Sequence, residues 1–219
     1  MPDLCLNEGR LNKGRLNKGR LNNGRLNERV ATRRLVLRPL ETGDAEAIDR
    51  LCSRDHEVVR WLTGMPWPPK DGAAAEFVAA AIDTDPFAGE AAFAITLGGV
   101  LIGLVAIKAP GELAEHPDCP SIGYWIGRPF QGFGYAGEAA AAALGWGVAA
   151  HGCQAMAARA FADNAASLKV LSRLGFRETG RMMRTSLALG HEVENVVLRL
   201  ERENRLGADA GAGLAEAAV

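Results

Sequence analysis

Residues 121 to 138 read SIGYWIGRPFQGFGYAGE, and they constrain the chain more than any other segment. Ser121 to Ile126 is a short β-rich run. Arg128 to Gln131 forms a linker that contains Pro129, three glycines follow within six positions, and an Ala-rich helical stretch runs from Gly137 to His151. A strand that passes through a glycine-bearing loop into a helix start gathers the unpaired N–H groups of the first turn and the positive end of the helix dipole in one place. Such a place attracts an anion. Gly132 and Gly134 let backbone approach a phosphate without interference from a Cβ, and Gly137 can pack the first helical turn closely.

The flanking sequence supplies the rest of a mixed sheet. Arg34 to Arg38 alternates apolar and charged residues before Pro39, as a short strand does. Asp44 stands at an N-cap position ahead of Ala45, Ala47, Ile48, Leu51 and Cys52 at helical spacing, which predicts one helix there. Met65 to Pro69 (MPWPP) reads as a loop, and Ala73 to Ile82 as the next helix. Ala91 to Leu97 and Val100 to Lys108 form a hairpin around Gly98-Gly99. After the loop from Ala109 to Pro120 come the segment described above, a weak Ala-rich strand Gln154 to Ala160, a helix Ala165 to Leu174 stopped by Gly175, and two closing strands, Phe176 to Arg184 and Glu192 to Leu200. The order β-α-α-β-β-β-α-β-α-β-β predicts a mixed α/β domain with a partly antiparallel sheet flanked by helices.

That domain spans residues 32 to 204, and 219 residues leave room for little else. Residues 1 to 31 carry a five-residue repeat (LNEGR, LNKGR twice, LNNGR). Period five builds no continuous apolar face on a helix or a strand, so a disordered tail is expected. The first thirty residues hold seven Lys or Arg against three acids, so a tether for RNA or ribosomes is one reading of this arm and a bare low-complexity extension the other. Residues 205 to 219 form a second small-residue tail. Net charge is −1, which gives no global signal for nucleic acid. Cys5, Cys52, Cys119 and Cys153 are single and widely spaced, so neither a zinc site nor any other metal is expected, and a reducing, cytoplasmic setting fits. No apolar run is long enough to span a membrane, and no secretory signal opens the chain.

The glycine loop formally matches two motifs. Gly132-Phe133-Gly134-Tyr135-Ala136-Gly137 fits the dinucleotide fingerprint G-x-G-x-x-G. That fingerprint belongs directly after the first strand of its domain, whereas three strands precede this one, and no acidic residue ends a strand about 20 residues later. The other match, Gln131-Gly132-Phe133-Gly134-Tyr135-Ala136, resembles the Q/R-x-x-G-x-G/A pyrophosphate loop of GNAT acetyltransferases. Ile122 to Ile126 before it and Gly137-Glu138-Ala139 after it are similar to the ribosomal-protein N-acetyltransferase (RimJ/RimL-like) branch. So are Asn164-Ala165-Ala166-Ser167 followed by Leu174-Gly175-Phe176, and the first-strand block Arg34 to Leu40.

This resemblance implies an N-acetyltransferase that moves the acetyl group of acetyl-CoA to a primary amine. It implies that Trp125 and Ile126 lie where a parted strand receives pantetheine and polarises the thioester carbonyl. The Gln131 to Ala136 amides, with Gly137 behind them, would hold the pyrophosphate, and Asn164 would contact the pantetheine arm. Relatives often carry a tyrosine acid where this chain has Leu171, which leaves Ser167 as the catalytic candidate or as a small residue packed under the cofactor. Relatives often carry Glu where Ser121 stands, and Glu115 and His116 lie in a loop of unknown direction, so no general base is assigned. Glu138 is read as stabilising the first helical turn, and His151 as a structural residue at a helix C-terminus, where a cation is favourable. Trp61, Trp67 and Phe87 line an acceptor pocket or the core, and Trp146 belongs to the core. A protein N-terminus is the first-choice acceptor; a small-molecule amine, or a CoA-binding regulator without turnover, are the alternatives. The protein is expected to be a monomer or a homodimer.

Overall fold

The computed structural model describes Leu26 and residues 28–201. The readings of residues 1–25 and of 202–219 lie outside these. The elements are β1 (Val30–Ala31), β2 (Leu35–Pro39), α1 (Ala45–Ile48), α2 (His56–Val59), α3 (Ala73–Asp83), β3 (Glu90–Leu97), β4 (Val100–Lys108), β5 (Ser121–Ile126), α4 (Tyr135–His151), β6 (Ala155–Phe161), α5 (Ala165–Arg173), β7 (Arg177–Ser186) and β8 (His191–Glu201). One eight-stranded sheet has the order β1-β2-β3-β4-β5-β6-β8-β7, and every pairing is antiparallel except β5 with β6. The mixed α/β expectation is therefore met. The sheet begins slightly earlier than position 32, because Val30 and Ala31 pair with Leu37 and Val36.

Two helical layers cover the sheet. On one face, Ala139, Ala140, Ala143 and Leu144 of α4 bury against Leu35, Leu37, Phe93, Ile107 and Ile122. The small alanines let this helix lie close to the strands, which is how an Ala-rich sequence builds a dense core. On the other face, Ile48, Leu51, Ala74 and Val78 pack on Ala92, Ala94, Leu104 and Ala106. The β3–β4 hairpin closes through Gly98 and Gly99, both at positive φ (58° and 86°), as a tight two-residue turn requires.

Two sequence expectations change here. Asp44 makes no side-chain cap bond into α1: it is buried, takes both Nη1 and Nη2 of Arg38 at 2.7 Å, and accepts the Glu41 N–H at 2.8 Å as the third residue of a capping box on the preceding 3-10 turn. A half-buried guanidinium needs a bidentate partner more than the helix needs a cap. The helix expected over 45–52 is also interrupted, passing from a 3-10 turn at Thr42–Asp44 through α1 into a π-helical turn at Asp49–Ser53. The Arg54 N–H closes that wide turn on the Asp49 carbonyl at 2.8 Å.

Candidate active site

The parallel pairing between β5 and β6 is brief. Ser121 aligns with Ala157 and Ile122 with Ala158, and there the register ends, so from Gly123 onward β5 separates from β6 and the sheet forks. On its other edge β5 stays paired with β4 through Gly103↔Ile126. Gly103 is required for this: a Cβ there would clash with the Trp125 carbonyl oxygen and lie 2.8 Å from the Ile126 side chain. Alternation along β5 puts Tyr124 on the side of α4 and α5 with Ile122, and Trp125 on the side of α1 and α3. Trp125 and Ile126 thus stand on the separated part of β5. The Ile126 carbonyl is already taken by the Gln131 side-chain amide at 2.8 Å.

Past the fork, a short 3-10 turn (Arg128–Phe130) leads to the glycine loop. Gly132 and Gly134 have φ of 86° and 80°, a conformation that other residues adopt at a cost. The Gln131 N–H is used within the turn, on the Arg128 carbonyl at 3.2 Å. Among the described residues, the backbone N–H groups from Gly132 to Gly137 find no intramolecular acceptor, and the 131–134 stretch is exposed. Six successive free donors at the start of a 17-residue helix make an anion cradle. A Cβ at Gly137 would meet nothing within 4 Å, so this glycine does not serve close packing of the helix; it leaves open space beside the loop.

A clamp that the sequence did not reveal holds this loop. Glu138 accepts from Thr32 Oγ1 at 2.6 Å, from the Arg34 N–H at 2.8 Å and from Arg34 Nε at 2.7 Å. Arg34 also donates Nη1 to the Phe133 carbonyl at 3.0 Å and lies over the Tyr135 ring at 4.6 Å. Burial opposes the Glu138 charge, but the Thr32 and Arg34 hydrogen bonds and the guanidinium outweigh it and hold the carboxyl below the usual carboxylate range. With its oxygens engaged in this way, Glu138 is a structural anchor and cannot serve as a base. The signal was an arginine and a threonine before the first long strand, and only the fold brings them to α4.

Across the fork, Asn164 caps α5 by accepting the Ser167 N–H at 3.0 Å. The Ser167 hydroxyl lies 3.1 Å from the Tyr124 hydroxyl, which also donates to the Ser167 carbonyl at 3.3 Å. The separated strand and α5 therefore meet through two hydroxyls. Burial pushes the Tyr124 phenol up to about 12, while the hydrogen bond to Ser167 acts the other way. Leu171 is sealed in the core, one turn further along α5. Ser121 is buried, and His116 faces Thr179 Oγ1 at 2.8 Å, away from the loop.

The aromatics divide. Trp61 meets Phe161 edge-on at 6.0 Å on the side of the fork opposite α5, while Trp67 stacks edgewise on His56 at 5.2 Å. Phe87 leaves the site altogether and stacks on Trp146 at 6.3 Å. Trp146 is buried, as expected, and donates Nε1 to Glu28 at 2.6 Å. His151 ends α4 half-buried, and burial pulls its pKa down. Among the described residues, no group of His, Cys, Asp and Glu is arranged to hold a metal, and no helix is long and apolar enough to cross a membrane.

The arrangement as a whole is a forked sheet, an anion cradle at the mouth of the fork and a pair of hydroxyls within it. Solved structures share the fold. Mycobacterium smegmatis RimJ in complex with CoA-disulfide is similar at a TM-score of 0.72 and 24% identity, over 85% of this chain and 95% of that one. A Salmonella typhimurium acetyl transferase that modifies the N-terminal serine of ribosomal protein L7/L12 is similar at 0.67 and 18%, over 80% and 99%. The microcin C7 self-immunity acetyltransferase MccE, in complex with acetyl-CoA and AMP, is similar at 0.64 and 17%, over 78% and 93%. The Acetyltransferase (GNAT) domain matches residues 34–177, which takes in the clamp arginine, the fork, the cradle and both hydroxyls. On that match the chain belongs to the GNAT acetyltransferase family.

Proposed function

We propose that the fork between β5 and β6 is where an acetyl group passes from acetyl-CoA to a primary amine, with the α-amine of a protein N-terminus as the first-choice acceptor. The observation that carries this is the run of free N–H groups from Gly132 to Gly137 at the mouth of the fork. These amides suit the CoA pyrophosphate, and Arg34, paired with Glu138, fixes the loop through the Phe133 carbonyl. Pantetheine would then lie along the separated edge of β5, past Asn164. Backbone N–H groups near Trp125 and Ile126 would polarise the thioester carbonyl.

A neutral amine adds to the carbonyl carbon, the carbon–sulfur bond breaks, and the thiolate accepts a proton from Ser167, which Tyr124 supports through their 3.1 Å contact. The proton shed by the amine passes through water to the Ser167–Tyr124 pair and restores the Ser167 hydroxyl. An α-amine, with a pKa of about 8, needs little more than that, whereas a lysine amine near about 10.4 needs a base. Among the described residues, the carboxylate beside the cradle is Glu138, and it is held in the clamp. This favours the N-terminal acceptor, as does the likeness to the Salmonella enzyme that acts on an N-terminal serine. A cytoplasmic setting accords with the buried thiols of Cys52 and Cys119, the first pushed up to about 12 by burial.

Thiol release from acetyl-CoA, followed across N-terminal peptides, lysine side-chain amines and small-molecule amines, tests this reading. N-terminal peptides should turn over fastest. Faster turnover of an antibiotic, amino acid or polyamine would reassign the acceptor, and tight CoA binding without any thiol release would make the protein a regulator.

A further inference from the structure

Strand β6 reads AMAARAF, and its one charged residue, Arg159, interrupts an otherwise apolar buried run. Arg159 is the first residue of β6 beyond the last pair with β5, so it stands at the root of the fork. Register places it opposite Val197, with Phe161 opposite Asn195, and Asn195 opposite Met182 on β7. These residues share the face turned away from α4 and α5, because Val196, Leu198 and Leu200 fill the core on the other. Arg184, opposite Val193, lies on that same face.

The Arg159 guanidinium has little to satisfy it. Arg159 is half-buried, and its Nη1 is enclosed with no hydrogen-bond partner. Burial first, and then the charge of Arg184, pull its pKa down; Glu115 and Glu112 act in the opposite sense through space, and neither pairs with it. Beside them, Trp61 meets Phe161 edge-on, and Arg60 stacks over Trp61 at 4.8 Å with its own Nε enclosed and unpartnered. Two of the four enclosed, unpartnered side-chain atoms among the described residues thus belong to arginines flanking one aromatic pair. Guanidinium groups are retained in such surroundings when an anion completes them, since a carboxylate accepts two parallel N–H bonds and also relieves the repulsion between like charges.

The geometry points to selection of the acceptor by charge: the amine that is acetylated belongs to a molecule with a carboxylate close to it, bound by Arg159 with Arg184 beside it. The carboxylate is the side chain of an acidic residue just after a peptide N-terminus, or the α-carboxylate of a free amino acid. This inference rests on the acetyl-transfer reading above and narrows its substrate class. One step between same-face residues of a strand is about 7 Å, the scale that separates a peptide's α-amine from the side-chain carboxylate of the residue after it.

The test compares isosteric acceptors that differ in one carboxylate, each referred to its neutral-amine fraction: the peptide Ser-Asp-Ala-Ala against Ser-Asn-Ala-Ala, and free serine against serinamide. The ratio of kcat/KM, acid over amide, is measured for the parent protein and for Arg159→Gln and Arg184→Gln. The expected parent ratio for one of the two pairs is roughly 10 to 100, the range of a charge-assisted contact, and it should fall toward unity in Arg159→Gln. The pair that shows the ratio identifies the source of the carboxylate. A parent ratio near unity in both pairs, or a ratio that survives both substitutions, overturns the assignment. If no acceptor releases thiol, the acetyl-transfer reading itself fails; the binding ratio of the same four compounds to the CoA-saturated protein then decides whether the arginines take a carboxylate. Retention of CoA affinity in both variants shows that they are folded.

Discussion

Replacing Glu138 tests the clamp that joins the first strands to the cofactor loop. Its carboxylate accepts three hydrogen bonds of 2.6 to 2.8 Å, and its ion pair with Arg34 is only 16% exposed on the glutamate side and 32% on the arginine side. A net contribution of about 1.5 kcal/mol or more for each bond to a charged group would exceed 4 kcal/mol if simply summed. The bonds share one carboxylate and are not additive, and Arg34 regains some water when released, so Glu138→Ala should cost about 2–3 kcal/mol. For a domain of this size that corresponds to a fall in Tm of roughly 4–12 °C. Glu138→Gln keeps the shape and one acceptor oxygen, so about half of this loss is expected. Because the folded-state pKa of Glu138 is depressed, its contribution is fully present above the unfolded value, near 4.3, and disappears as pH falls through the folded value. The stability gap between parent and Glu138→Gln in urea unfolding should therefore be widest near pH 7 and shrink below about pH 4. A gap under about 0.5 kcal/mol at pH 7, or one that does not shrink in acid, would refute the clamp as a charged anchor.

Other perturbations separate the remaining parts of the site. Gly134→Asp places a negative charge at the N-terminus of α4 while tolerating φ of 80° better than most residues would; CoA affinity measured by calorimetry should fall at least about tenfold with stability down by only about 1 kcal/mol. Gly103→Ala forces a Cβ onto the Trp125 carbonyl, and chemical denaturation should show a loss of about 1–3 kcal/mol together with weaker CoA binding. Ser167→Ala should lower kcat by roughly tenfold or more with little change in the KM for acetyl-CoA, and Tyr124→Phe should have a smaller effect of the same kind, both read from thiol release. Removing residues 1–25 should leave turnover and Tm unchanged, whereas removing 1–31 also deletes β1 and the 2.6 Å contact of Glu28 with Trp146 and should cost about 1–2 kcal/mol in urea unfolding.

Periodicity and punctuation determined most of the fold from sequence alone. The hairpin at Gly98-Gly99, the loop at Gly132 and Gly134 and the Ala-rich α4 are local matters, set by φ, turn type and apolar spacing within a dozen residues. The family was legible for the same reason, since its motif is a continuous loop whose backbone does the binding. What tertiary structure alone decided is the pairing of groups far apart in the chain. Asp44 carries every local mark of an N-cap, yet Arg38 claims it. Leu171 is the conspicuous departure from the acetyltransferase pattern, and the hydroxyl beside Ser167 comes instead from Tyr124, 43 residues earlier. Arg34 and Glu138 are 104 residues apart and no local rule couples them. Charged and hydroxyl side chains are placed by whichever partner relieves their desolvation, and that partner is fixed only once strands and helices have packed.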